Sequence, residues 1–126
     1  MRILLDTHVL LWTLAGSDRI KSVSELILAD DTEVYVSAAS WWELAIKIGL
    51  GKLPANLLEL RAASVESGFI ELPVAGRHTE ALLQLSPLHR DPFDRLLVAQ
   101  AITEPMRLLT ADSMLAKYSE LVWAIK

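Results

Sequence analysis

Cysteine is missing from this chain, which removes both a disulfide framework and any thiolate metal site. Histidine is scarce, and His8, His78 and His89 fall at no zinc-ligand spacing. No apolar run approaches membrane-spanning length. The N-terminus, Met1-Arg2-Ile3-Leu4-Leu5-Asp6, reaches an acid too soon for a signal peptide, so a cytosolic protein is expected. Positive charge is not in excess either. Twelve Lys and Arg stand against sixteen Asp and Glu, a net charge of −4 that argues against bulk nucleic-acid binding. Charged residues are only 22% and hydrophobic residues 52%, which excludes disorder. The mean hydropathy of +0.35 is high for a small soluble domain and predicts a partner surface. At 126 residues, without repeats, linkers or low-complexity segments, the chain suits one domain over residues 1–126 with a real core.

What is present is an alternation of short apolar runs with helical stretches. Arg2 to Leu5, Val34 to Val36, Phe69 to Leu72, Met106 to Leu109 and Leu121 to Ile125 read as strands. Helices are expected over His8–Ala15 behind a Thr7 cap, Lys21–Ala29, Ser40–Ile48, Leu57–Glu66, Gly76–Gln84, the stretch after Asp91, and Ser113–Tyr118. Gly16, Gly49, Gly51 and Gly68 sit where helices should stop. This order predicts an α/β fold whose parallel sheet is covered on both faces. Ligands in such folds bind beyond the carboxyl ends of the strands, so acids there are informative.

The organising stretch is His89-Arg90-Asp91-Pro92-Phe93-Asp94-Arg95, followed by the apolar run Leu96 to Ile102, broken only by Gln100. Asp91 before Pro92 is a strong helix start, because Asp accepts from free backbone donors and proline lacks the N–H that has no partner there. Asp94 follows three residues on, on the same side of the first turn. A helix apolar on every face is buried between layers, so the segment carries two negative charges to the lip of a buried element. Asp6 ends the first strand, and Asp112 follows the fourth in Leu109-Thr110-Ala111-Asp112. Glu43 lies early in the helix after the second strand, with Ser40, Glu43 and Lys47 on a polar face opposite Trp41, Ala45 and Ile48. Each acid alone has an ordinary explanation: Asp6, Asp91 and Asp112 as caps, and Ser40 with Glu43 as a capping box. Together, all are placed where a strand end meets a helix start, on one edge of the sheet.

Converging carboxylates are costly, since two charges ~4 Å apart repel by about 4 kcal/mol at an effective dielectric of 20. Without a Cys or His ligand set, the natural counter-charge is a hard cation, Mg²⁺ or Mn²⁺. Such a site activates water and neutralises charge on a phosphoryl oxygen, which makes phosphodiester hydrolysis the leading chemistry.

The same residues resemble the PIN-domain ribonucleases, specifically the VapC-type toxins of toxin–antitoxin pairs. The matching pieces are Ile3-Leu4-Leu5-Asp6-Thr7-His8, Val36-Ser37 with Trp42-Glu43-Leu44-Ala45-Ile46-Lys47, Asp91 through Ala101, and Leu109-Thr110-Ala111-Asp112. They run in register along the whole chain. The resemblance implies a three-layer α/β/α sandwich with a five-stranded parallel sheet. It also implies a metal-dependent endoribonuclease whose acidic quartet is Asp6, Glu43, Asp94 and Asp112. Of these, Asp6 and Asp94 are expected as the most direct metal ligands. Asp91 matches a further acid seen in part of the family, and Thr110 a hydroxyl beside the site. A homodimer and a small antitoxin are the partners it implies. The acidic net charge is then no objection, because only the field over the metal must be positive. Lys47, Arg90 and Arg95 are candidates for RNA contacts, although each alone reads as solvated helix surface.

Trp12, Trp41, Trp42 and Trp123 are at core spacing, yet four in so small a domain predict at least one at an interface. Two other classes stay in view. A phospho-receiver domain has this length and Mg²⁺-binding acids, but it needs an acid pair after strand one and a phosphorylatable Asp after strand three. Here single Asp6 and Glu71-Leu72-Pro73 stand at those places. A catalytically inactive antitoxin-binding module is the other.

Overall fold

The computed structural model describes residues 1–125. Its five strands are β1 (Arg2–Leu5), β2 (Glu33–Ser37), β3 (Ile70–Leu72), β4 (Arg107–Thr110) and β5 (Val122–Ala124). They form one all-parallel sheet in the order β3-β2-β1-β4-β5. Six α-helices connect them: α1 (Thr7–Leu14), α2 (Ser24–Leu28), α3 (Ala38–Gly49), α4 (Leu57–Glu66), α5 (Gly76–Leu82) and α6 (Pro92–Thr103). Two 3-10 helices, Asp18–Val23 and Ser113–Lys117, complete the chain.

The strands alternate their side chains between two cores. Ile3, Leu5, Val34 and Val36 pack with Val9, Leu10, Trp41 and Leu44 on one face. Leu4 and Leu108 pack with Leu97, Val98, Ala101 and Leu115 on the other. Both faces are therefore covered, and the expected five-stranded α/β architecture is the observed one. Helix α6 is the central element of its layer, with Leu97 to Ala101 fully buried.

The crossovers run from β1 outward to β3, then return across the sheet to β4. The direction of winding therefore reverses between β1 and β4, and the carboxyl ends of these two neighbours form the topological switch point where α/β folds bind ligands. Asp6 and Thr110 stand at that point. β3 lies at the sheet edge, with β2 between it and β1, so its end cannot supply a phosphorylatable acid beside Asp6. That removes the receiver arrangement.

Several local expectations change. Helix α1 is capped by Asp6, whose Oδ1 accepts from Val9 N, rather than by Thr7. The Ser40–Glu43 capping box does not form. β2 runs straight into α3, so Ser37 is the cap, accepting from Ala39 N, and Ser40 lies inside the helix. The expected helix Lys21–Ala29 is split in two, because Ser17 starts a tight turn at Arg19 and the Ser24 hydroxyl donates to the Lys21 carbonyl. Gly16 and Gly68 follow the ends of α1 and α4 with φ of 65° and 80°, where a side chain would be strained.

Candidate active site

Asp6 is buried at the switch point and its carboxylate is fully engaged. Oδ1 accepts from Val9 N at 2.8 Å; Oδ2 accepts from the Thr110 hydroxyl at 2.5 Å and from Ala111 N at 3.0 Å. Burial pushes its pKa upward, against these hydrogen bonds and the nearby His8. Thr110 thus acts as a positioning hydroxyl, and it also accepts from Asp112 N at 3.0 Å.

Asp94 stands in the first turn of α6, presented by the Asp91 cap, whose Oδ1 accepts from Phe93 N and Asp94 N. No hydrogen bond holds the Asp94 carboxylate among the described residues; its nearest cationic partner is His89 Nε2 at 3.7 Å. Its pKa is pushed up to about 7, first by burial and then by the charges of Asp91, Asp6 and Glu43, with His89 opposing. Asp91, Asp6 and Glu43 therefore lie close enough to Asp94 for their charges to act on it. Of the expected quartet, Asp6, Asp94 and Asp112 line one open cavity of about 470 Å³. Glu43 borders a second groove beside it, with Asp91.

Glu43 is buried although it belongs to a polar triplet, because Ser40 and Glu43 turn inward toward Thr7 at the start of α1. Its Oε1 accepts from Thr7 Oγ1 at 2.7 Å and its Oε2 from Lys47 Nζ at 2.9 Å. Ala45, expected on the core side, is exposed instead. Asp112 accepts from Met114 N at 2.9 Å and from His89 Nε2 at 2.7 Å. Burial alone would raise its pKa, but these hydrogen bonds and the nearness of the His89 ring outweigh it and hold the carboxyl below its usual range.

His89 is the residue that sequence spacing missed. Its Nδ1 accepts from Asp91 N at 3.1 Å, which leaves the proton on Nε2 facing Asp112. Oxygen or nitrogen atoms of His89, Asp94 and Asp112 lie within 4.8 Å of one another, an arrangement able to hold a metal ion. The separation of five residues to Asp94 and twenty-three to Asp112 matches no local ligand motif. Only its nearness to the Asp91-Pro92 helix start pointed this way.

The basic candidates divide. Arg90 is exposed on the rim of the second groove. Lys47 is tied to Glu43. Arg95 Nη1 donates to the Ser86 carbonyl at 3.0 Å and the Tyr118 hydroxyl at 2.9 Å, and lies 3.4 Å from the His89 carbonyl. It therefore straps the loop that carries His89. Of the tryptophans, Trp41 is buried and Trp12 packs against the core, whereas Trp42 is 62% and Trp123 38% exposed. Trp123 is covered by Arg107, whose Cζ lies 3.4 Å from the ring centroid.

The donor set suits a hard divalent cation. Carboxylate oxygens dominate, and one carboxylate, raised in pKa by burial and then by neighbouring acids, is free of hydrogen bonds among the described residues. A single imidazole at the edge is compatible with Mg²⁺ or Mn²⁺ because its Nε2–H is engaged with Asp112 rather than open.

A parallel sheet with acids gathered at its β1–β4 switch point defines an α/β protein with a carboxylate cluster at its strand ends, and sequence comparison gives the family. The sequence model of the PIN domain matches residues 3–121, so the chain belongs to the PIN domain family. It is 32% identical over 121 residues to Ribonuclease VapC22 of Mycobacterium tuberculosis (strain ATCC 25618 / H37Rv), covering 92% of this chain and 91% of that protein. Solved structures share the fold. VapBC2 from Rickettsia felis, bound to a DNA fragment from its promoter, matches with a TM-score of 0.75 at 17% identity over the full length of both chains. A toxin–antitoxin complex from Klebsiella pneumoniae matches with a TM-score of 0.68 at 18% identity, covering 97% of this chain and 96% of the other.

Proposed function

We propose that this chain, a single PIN-like domain, is the toxin of a toxin–antitoxin pair and a Mg²⁺-dependent endoribonuclease, with Mn²⁺ as a substitute. One observation carries the reading: Asp94 sits among Asp6, Glu43 and Asp91 with a carboxyl pushed up to about 7. A scaffold has no reason to collect and hold such charges; a cation site does. Asp6, Asp94 and Asp112 are the proposed ligands, with Glu43 completing the site through water. The ion, when bound, lowers the pKa of a water and neutralises charge on the phosphoryl oxygen. The chain's own residues do the rest. Thr110 and the N–H groups of Val9 and Ala111 fix Asp6, Thr7 and Lys47 fix Glu43, and His89 fixes Asp112. RNA is the substrate because unstacked loops offer an accessible backbone, and because the 32% identical relative is named a ribonuclease. Cleavage of single-stranded or loop RNA is expected to stop in EDTA and return with Mg²⁺ or Mn²⁺. Full cleavage in excess chelator would falsify the metal-site reading, and no cleavage under any metal would favour an inactive binding module.

Among the described residues no helix is long and apolar enough to cross a membrane. With RNA as its substrate, the protein is expected to act in the cytoplasm. The partners are a second copy and a small antitoxin. Trp42 and Ile46 on α3 and Leu50 at its C-cap, at spacings of four, form an apolar stripe 62%, 40% and 65% exposed. Trp42 is braced edge-on against Phe93 at 5.0 Å, which holds it ready for burial. We expect light scattering to find a dimer, and Trp42→Asp to weaken it about tenfold or more. A wild type that is monomeric at high concentration sinks the dimer.

A further inference from the structure

The cavity at the acids has a second wall with a different chemistry. Besides Asp6, Asp94 and Asp112, the same cavity is lined by His8, Trp12 and Arg19. The Arg19 Cζ lies 5.0 Å from the Trp12 ring centroid, a guanidinium laid on an indole. His8 adds a tilted ring, 6.1 Å from that of Trp12 at 46°. Arg19 is exposed and makes no ion pair among the described residues. Trp12 is held from below by the core and open to the cavity. Trp12 and Arg19 also border a smaller hollow with Ala111 and Ile125, so the pair stands between two cavities.

The chemistry of this wall is that of single-stranded nucleic-acid binding: a flat π surface, a planar cation, and further positive or aromatic character beside it. Resting on the ribonuclease reading, we propose that His8, Trp12 and Arg19 form a nucleotide subsite. In it the base next to the scissile phosphate stacks on the Trp12–Arg19 pair while the phosphate faces the acids. The cavity, about 470 Å³, is within the size range of small-ligand sites (about 300–1,000 Å³) and holds one nucleotide without closing over it. Because the stack is one residue pair deep, the subsite reads stacking rather than base identity. The neighbouring groove is less suited to this task, since its lysine is tied to Glu43 and, among the described residues, no guanidinium lies over its aromatic ring, Phe93.

The test uses the Mg²⁺-loaded protein and a short single-stranded oligoribonucleotide with one cleavage site, alongside copies in which one base at a time is removed. For wild type, removing the base at one position beside the cleaved bond is expected to lower kcat/KM about ten- to a hundredfold. Arg19→Ala and Trp12→Leu are expected to lower kcat/KM on the intact strand, chiefly through KM, and to be insensitive to removal of that same base. This cycle separates loss of a stack from general damage. Arg19 is on the surface, so its variant keeps the test meaningful should Trp12→Leu fold poorly. If wild type ignores base removal at every position, or if Arg19→Ala stays as sensitive as wild type, the subsite is overturned while the ribonuclease stands. If wild type cleaves no intact strand, the ribonuclease reading fails and takes the subsite with it.

Discussion

In EDTA at pH 8, Asp94→Asn is expected to melt well above the wild type, and at pH 4 to melt close to it. The reason is the carboxyl of Asp94, pushed up to about 7 from 3.8 by burial and by Asp91, Asp6 and Glu43. Below 3.8 the group is protonated in both folded and unfolded chains and costs nothing. As pH rises toward 7 the unfolded chain loses the proton while the folded one keeps it, so stability falls across that window and stays low above it. A shift of this size corresponds to on the order of 4 kcal/mol. Asp6, also raised by burial, adds to the same trend. Asparagine has no proton to lose, so the variant escapes the decline. Against this, losing a charge near the N-terminus of α6 costs up to about 1 kcal/mol through the helix dipole. The net gain is a few kcal/mol, on the order of ten degrees in Tm for a domain of this size. Mg²⁺ at a hundredfold excess over its Kd then stabilises wild type by about 2.7 kcal/mol, and the variant by less. A variant less stable than wild type in EDTA, with an equal response to Mg²⁺, would mean that the acids are separate helix caps.

The architecture was legible because its signals are local. Leu4 and Leu108 face one core and Ile3 and Leu5 the other, as a two-sided strand demands. Asp91 and Pro92 start α6 by chemistry that needs no tertiary partner. What was not legible depends on contacts between distant residues. Ser37 and Ser40 are equally good caps on paper; the choice falls on Ser37 because β2 turns directly into α3, and that turns Ser40 and Glu43 inward. Thr7 looked like a cap because its true partner, Glu43, is far along the chain. His89 looked incidental because Asp112 reaches it only after the whole of α6 and β4 has intervened. Trp42 is the converse case. Its spacing suits a core, yet α3 turns it outward while Ser40 and Glu43 meet Thr7 at the start of α1.

The steepest activity loss is expected at Asp6, and its cause differs from that at Asp94. Both Asp6 oxygens accept from N–H or O–H donors, Val9 on one side and Thr110 with Ala111 on the other. Asp6→Asn must turn an NH₂ toward one of these donors, so it removes a ligand charge and disorders the remaining oxygen as well. We expect cleavage to fall at least about a thousandfold, since the charge stabilisation supplied by a bound ion is worth several kcal/mol. Growth inhibition by the protein expressed without its partner should disappear with it. Thr110→Val keeps the carboxylate but loses the hydroxyl that orients it and that accepts from Asp112 N, for which about ten- to a hundredfold in metal affinity or activity is expected. The two variants then part in their response to metal. Raising Mg²⁺ should recover most of the activity of Thr110→Val, whose ligands are intact but loosely aimed, and little of that of Asp6→Asn. An Asp6→Asn protein as nucleolytic and as toxic as wild type would move the chemistry away from the β1–β4 switch point altogether.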